Sequence, residues 1–183
     1  MQRTSARCPQ ELSNCVDSAE REYLPRGITE TLSTLDFIDS GLNVCILGPS
    51  DSGKSYLAKA IGIVACNNYK VEYHHCEPLL EELVALKAVD YSKYQKRLKK
   101  TCGAALLILD DFLLHTITDE SEVKILFEIL EKRCEINLST IICSQREPAS
   151  WSSMILNDEV SANAILKRAT KHYTVVIKPR MAD

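Results

Sequence analysis

The sequence predicts an α/β fold, a five-stranded and mainly parallel sheet sandwiched between helices. Three observations carry this reading. Short continuous apolar runs alternate with segments whose apolar residues recur at helical intervals, the pattern of strands buried on both faces and covered by helices. Residues Gly48 to Ser55 (GPSDSGKS) match G-x-x-x-x-G-K-[ST] in full and fall between one such run and one such helix, where a glycine-rich loop can wrap an anion. A further run, LLILDDF at 106–112, ends on two carboxylates, a costly place to leave charge unless something uses it.

Taken in order, residues 1–22 are polar and lack periodicity, so they read as an N-terminal arm ahead of a core spanning 23–183. Asn43 to Leu47 (NVCIL) is the first strand and stops at Gly48. Lys54 to Cys66 spaces Leu57, Ala58, Ile61, Val64 and Ala65 along one helical face. Val71 to His74 is the second strand, and Pro78 to Lys87 is strongly helical. Ala105 to Leu109 is the third strand. Glu122 to Arg133 is a helix with Val123, Leu126, Phe127 and Leu130 on one side. Ser139 to Cys143 is the fourth strand, Ala162 to Lys171 the closing helix and Tyr173 to Ile177 the fifth strand.

Composition bounds the class. A chain of 183 residues, 45% hydrophobic, can bury one core of ordinary size. The net charge of -3 means that nucleic acid would have to be met by a local basic patch rather than by the surface as a whole. No apolar run approaches the ~18 residues of a membrane helix. The 8 cysteines include no C-x-x-C pair and follow no signal-like segment, and Cys45, Cys66 and Cys143 sit inside apolar runs. They read as reduced core residues of a cytoplasmic protein.

The loop dictates a chemistry. Gly48 and Gly53 let the backbone close around phosphate, and the amides of residues 51–55 supply positive charge. Lys54 reaches the β- and γ-phosphates of ATP, and Ser55 offers its hydroxyl to Mg²⁺. The nucleotide-contacting set is Gly48, Pro49, Ser50, Asp51, Ser52, Gly53, Lys54, Ser55 and Tyr56. Asp110 is placed to hold the metal through water, and Asp111 to orient or deprotonate an attacking water. The run STIICSQ (139–145) delivers Ser144 and Gln145 at a strand tip, in reach of the γ-phosphate or that water. Plainer readings exist: a turn capped by Ser52, and an acid pair that caps a nearby helix.

GPSDSGKSYLAKAIG, LLILDDF and SQREPASWSSMILNDEVSANAILKR resemble the IstB family of transposition helper ATPases, relatives of the DnaC helicase loader within the AAA+ class. The likeness runs from about Arg21 to Ile177, and its most diagnostic block places Ser144, Gln145, Pro148, Trp151, Leu156, Asp158, Ala164, Ile165 and Arg168 at the family's spacings. The resemblance implies an AAA+ core, ATP with Mg²⁺, hydrolysis by a homo-oligomer, and a role in delivering a transposase to DNA. It also implies that Arg168, in the AI-x-x-R position, reaches a neighbour's nucleotide. Relative to that family the chain reads as short at both ends. The acid usual before the arginine is Lys167 here, and Arg180 stands near the second phosphate-sensing position.

Residues 91–100 (YSKYQKRLKK) hold Lys93, Lys96, Arg97, Lys99 and Lys100 without an acid, with Tyr91 and Tyr94 between them. Initiator-type relatives line a DNA channel with an extra helix here, so this run is the candidate phosphate-tracking strip; a solvated basic helix face reads the same way. His74 and His75 point to opposite faces of a strand and so grip one metal poorly. Trp151 is either a base-stacking platform or a core anchor. Two other functions fit a P-loop chain of this size: a small-molecule kinase, and an ATP-binding assembly module without turnover.

Overall fold

The computed structural model describes residues 21–155 and 159–179. Its six strands are β1 (Arg21–Leu24), β2 (Asn43–Leu47), β3 (Val71–His75), β4 (Leu106–Asp110), β5 (Ser139–Ser144) and β6 (His172–Pro179). The helices are α1 (Ile28–Ser33), α2 (Asp36–Asp39), α3 (Lys54–Ala65), α4 (Cys76–Val89), α5 (Tyr91–Cys102), α6 (Glu120–Glu135) and α7 (Glu159–Ala169). All five expected strands are present in one sheet of order β1-β6-β2-β5-β4-β3. The count rises to six because β1 joins the edge, antiparallel to β6, while every other pairing is parallel. Two of the four β1 residues, Arg21 and Glu22, had read as arm. A four-residue, half-buried edge strand with two charges carries no apolar run to announce it.

Alternation of side chains divides the sheet between two cores. Val44, Ile46, Leu106, Ile108, Ile141, Cys143, Val175 and Ile177 meet α1, α2 and α3 on one face. On the other, Cys45, Leu47, Leu107, Leu109 and Ile142 meet the helices α4 to α7. α3 lies so close that a Cβ on Gly62 would come within 2.9 Å of Ile108 Cδ1. Helix starts follow local chemistry: Asp90 accepts from the Lys93 amide at 3.0 Å ahead of α5, and Asp119 from the Ser121 amide at 2.7 Å ahead of α6.

Trp151 is fully buried, its ring 4.9 Å from that of Phe112 and its Nε1 donating to the Arg146 carbonyl; it anchors the core. Cys45, Cys76, Cys102 and Cys143 are buried, whereas Cys66 is exposed. Cys66 caps α3 with helical backbone and continues its outer face, in line with the exposed Tyr56 and Ile63. Among the described residues no helix is long and apolar enough to cross a membrane.

The end of the sheet remote from Gly48 is tied by one cation. Arg133, 1% exposed, donates from Nη1 to the carbonyls of Cys102 (2.9 Å) and Ala104 (2.7 Å), from Nη2 to that of Ser139, and from Nε to Thr140 Oγ1 (2.9 Å). Burial pushes its pKa down to about 10, the cost of taking a guanidinium out of water without a carboxylate. The bonds fasten the end of α5 and the chain entering β4 to the start of β5. Arg133→Met would leave several buried carbonyls without donors at ~1–3 kcal/mol each. The expected result is a loss of at least ~3 kcal/mol in chemical denaturation with an unchanged slope; a loss below ~1 kcal/mol would show that water replaces the guanidinium.

Candidate nucleotide-binding site

Parallel neighbours share the direction in which they end, and the register here aligns three ends. Leu47 of β2 lies opposite Ser144 of β5, and Leu109 of β4 opposite Ile142 of β5. The loop after β2, the tip of β5 and Asp110 therefore form one row, with β2 and β4 about 10 Å apart across two strand spacings. That row joins residues separated by more than ninety positions in the chain.

The loop itself is tight. Gly53 has φ 96° and Asp51 φ 59°, left-handed values that glycine takes freely and aspartate tolerates. A Cβ on Gly48 would meet Ser52 Oγ at 2.6 Å and the Ile177 carbonyl at 2.9 Å. Ser52 is 9% exposed, and its Oγ has no hydrogen-bond partner among the described residues. Lys54 is 6% exposed and folds its Nζ back onto the Pro49 carbonyl at 2.6 Å. Burial lowers its pKa, opposed by Cys143, Asp110, Asp111 and Asp51. A buried ammonium bonded to a carbonyl of its own loop and an orphaned hydroxyl beside it are what an anion would satisfy. Pro49, Ser50 and Asp51 are exposed, Gly53 and Ser55 half-buried. Tyr56, 52% exposed, lies on the outer side of α3, so of the nine expected contacts it is the one the helix turns outward.

The two carboxylates have different environments. Asp110 is fully buried; its Oδ1 accepts from the Asp111 amide at 3.0 Å and its Oδ2 from the Tyr73 hydroxyl. Burial and this carboxylate both raise the Tyr73 pKa, keeping the phenol a donor. Asp111 is half-buried in a left-handed turn (φ 54°), with Oδ2 2.8 Å from His75 Nδ1. Asp110 and the Ser55 hydroxyl form an all-oxygen donor set, which suits a hard cation such as Mg²⁺. Neither Tyr73 nor His75 was legible as a site residue. No local signal marks them, because only the pairing of β3 with β4 brings them to the acids.

Ser144 and Gln145 separate. Ser144 is fully buried, donating to the Phe112 carbonyl at 2.8 Å and accepting from the Arg146 amide at 3.1 Å, while Phe112 N donates to the Cys143 carbonyl at 2.8 Å. Its hydroxyl is thus spent on bracing the turn that carries Asp111, which corrects the expectation of a direct phosphate contact. Gln145 is exposed and lines a cleft of about 500 Å³ beside Gly48 and Pro49.

Arg168 is not in this row. Its carbonyl accepts from Asn43 Nδ2 at 2.9 Å, and Asn43 opens β2 some 13 Å from the loop by strand rise. Its guanidinium bonds Glu131 at 3.1 Å and packs over the Phe127 ring at 4.8 Å. The basic run forms α5, whose Tyr94 and Leu98 are core; the Tyr94 hydroxyl donates to Glu128. Of its five cations, Lys93 pairs with Asp90 at 3.3 Å, Arg97 with Glu82 at 2.8 Å and Lys100 with Glu72 at 3.1 Å. Burial pushes Glu72 up, but bonds from His74 and Lys100 outweigh it and hold the carboxyl below its ordinary value. Lys96 and Lys99 are exposed. Leu156, Asp158 and Arg180 lie outside the described residues.

The family model for IstB-like ATP binding proteins matches residues 6–179. An insertion-sequence ATP-binding protein of Sinorhizobium fredii is 39% identical over 151 residues, 82% of this chain and 58% of that protein. One from Bacillus thuringiensis is 34% identical, over 88% of this chain and 64% of its own length. The chain thus spans about three fifths of these curated relatives. Among solved structures, the DnaC helicase loader shares the fold at TM-score 0.64 and 23% identity, covering 82% of this chain and 88% of that one. The replication initiator DnaA bound to AMPPCP and single-stranded DNA does so at 0.70 and 20%, covering 93% and 50%. Both likenesses are of fold, in the sheet and the helices that cover it.

The two strand-tip residues should part in a stability test. Ser144→Ala removes a buried bond at each end and is expected to cost ~1–2 kcal/mol, whereas Gln145→Ala should stay within ~0.5 kcal/mol of the wild type. Equal denaturation midpoints for the two variants would contradict the bracing role.

Proposed function

The chain belongs to the family of IstB-like ATP binding proteins, and from that membership we propose that it is a cytoplasmic, Mg²⁺-dependent ATPase that helps DNA transposition, with DNA and a transposase as partners. The observation that supports this best is the convergence at one end of the sheet of a closed glycine loop, the buried Lys54 and the acid pair Asp110–Asp111. In this reading Lys54 exchanges the Pro49 carbonyl for the β- and γ-phosphates, and the loop amides take the rest of the charge. Bound Mg²⁺ would neutralise phosphate charge, with Ser55 and Asp110 as the residues to hold it, the latter through water. Asp111, oriented by His75, takes the proton of the attacking water, and Gln145 faces the terminal phosphate.

Arg168 lies at the opposite end of its own strands, so it completes a site only when a second copy presents it. An ATP-binding module without turnover has one observation in its favour: Glu131 and Phe127 hold that guanidinium within its own chain. Phosphate release without an added acceptor distinguishes the ATPase from both that module and a kinase.

Calorimetry should show Mg²⁺-dependent heat on adding ATP to the wild type and none for Lys54→Ala. Arg168→Ala should keep ATP affinity within about twofold and lose at least ~100-fold in turnover, and wild-type turnover per subunit should climb with protein concentration. A rate per subunit that is flat across concentration would count against the shared site.

For DNA, the two lysines of α5 that form no ion pair among the described residues, Lys96 and Lys99, carry the reading. Lys96→Ala with Lys99→Ala should weaken duplex binding at low salt and flatten the salt dependence by ~1.8 in log–log slope. Arg97→Ala, which breaks internal bonds, should act mainly on stability. An unchanged slope in the double variant would end the assignment.

A further inference from the structure

One cation outside every motif faces the phosphate loop. β1 runs antiparallel to β6, with Arg21 opposite Pro179 and Leu24 opposite Val176, while β6 is parallel to β2. The C-terminal end of β6 therefore lies on the same side as Gly48, and an antiparallel neighbour brings its first residue there, not its last. A parallel β1 would have put Leu24 in that place.

So positioned, Arg21 lies against the turn before α3. A Cβ on Gly53 would meet Arg21 Cζ at 2.9 Å and both Nε and Nη1 at 3.0 Å. Near-equal distances to three atoms of one planar group mean that the guanidinium turns its face to Gly53. Its N–H donors lie in that plane, so they run along the loop surface and are not spent on the glycine beneath. Gly53 suits this approach twice over, lacking a Cβ and holding φ 96°. Arg21 forms no ion pair among the described residues. The adjacent Ser52, nine-tenths buried, keeps an unpartnered Oγ. A cation without a counter-charge and a buried hydroxyl without a partner thus flank the same residue.

We propose that Arg21 is a further nucleotide-binding residue, its guanidinium contacting the α- and β-phosphates of a nucleoside di- or triphosphate held by residues 48–55. The inference rests on the reading of that loop as an ATP site. The amides of such a loop cradle the α- and β-phosphates, and the lysine reaches further, to the γ-phosphate. Gly53 directly precedes that lysine, so a cation stacked on it serves the inner phosphates. ATP and ADP gain alike. A planar fork lying flat on a glycine is also a role that arginine fills better than the point charge of lysine.

The test is calorimetry of Mg²⁺–ATP and Mg²⁺–ADP with the wild type, Arg21→Ala and Arg21→Gln, each checked by thermal melting. Arg21→Ala is expected to raise Kd about tenfold for both nucleotides, the size of a charge-assisted contact, with a melt close to the wild type because the position is half-exposed. Should the alanine variant lose its edge strand, Arg21→Gln keeps the polarity and the first part of the stem but lacks the charge, the fork and the full reach. Affinity within about twofold of the wild type in a properly folded variant, or tighter binding, overturns the assignment. If the wild type itself takes up no ATP, the reading of the loop fails and not merely that of Arg21; normal wild-type binding with undiminished variants removes Arg21 alone.

Discussion

Burial of both faces of the parallel sheet is the constraint on which the rest depends. Val44, Ile46, Ile108 and Ile141 press against one helical layer, and Cys45, Leu107, Leu109 and Ile142 against the other. No polar side chain can leave the middle of such strands for water, so chemistry is confined to their ends. Parallel pairing puts equivalent ends together. The glycine loop, the acid pair and the tip of β5 meet for this reason, although nothing local in the chain relates them.

Electrostatics at that end are arranged around an incomplete set of partners. Lys54 is buried near Asp110 and Asp111 yet, among the described residues, its ammonium bonds only a backbone carbonyl. Asp110 is steadied by Tyr73 and Asp111 by His75, both from β3. Among the described residues, Ser52 keeps an orphaned hydroxyl and Arg21 an unmatched charge. The far end of the sheet is the opposite case, where the Arg133 donors meet carbonyls and a threonine hydroxyl within the fold. Satisfied polar groups hold a structure, whereas unsatisfied ones await a ligand.

The basic helix shows how composition can overstate a surface. Five cations among ten residues read as a uniform strip, yet Lys93, Arg97 and Lys100 are bound to acids, Arg97 and Lys100 to residues of α4 and β3. Only contacts across the fold separate a charge that serves stability from one that is available. The same holds at the tip of β5. Ser144 and Gln145 are adjacent and both polar, but alternation turns one inward to brace the turn at Phe112 and leaves the other exposed.

What the sequence by itself determined was local in origin. The phosphate loop, the acid pair and the five apolar strands each lie within a few consecutive residues, and their periodicity or spacing is a direct record of backbone geometry. The short helices α1 and α2 and the edge strand β1 escaped because four to six residues carry too little periodicity to be read. Tertiary structure alone decided the roles of Tyr73, His75, Arg133 and Arg21, the spent hydroxyl of Ser144 and the remoteness of Arg168 from its own loop. Those roles depend on which strands are neighbours and in which direction they run, and strand order is settled by packing across the sheet, which no stretch of adjacent residues encodes.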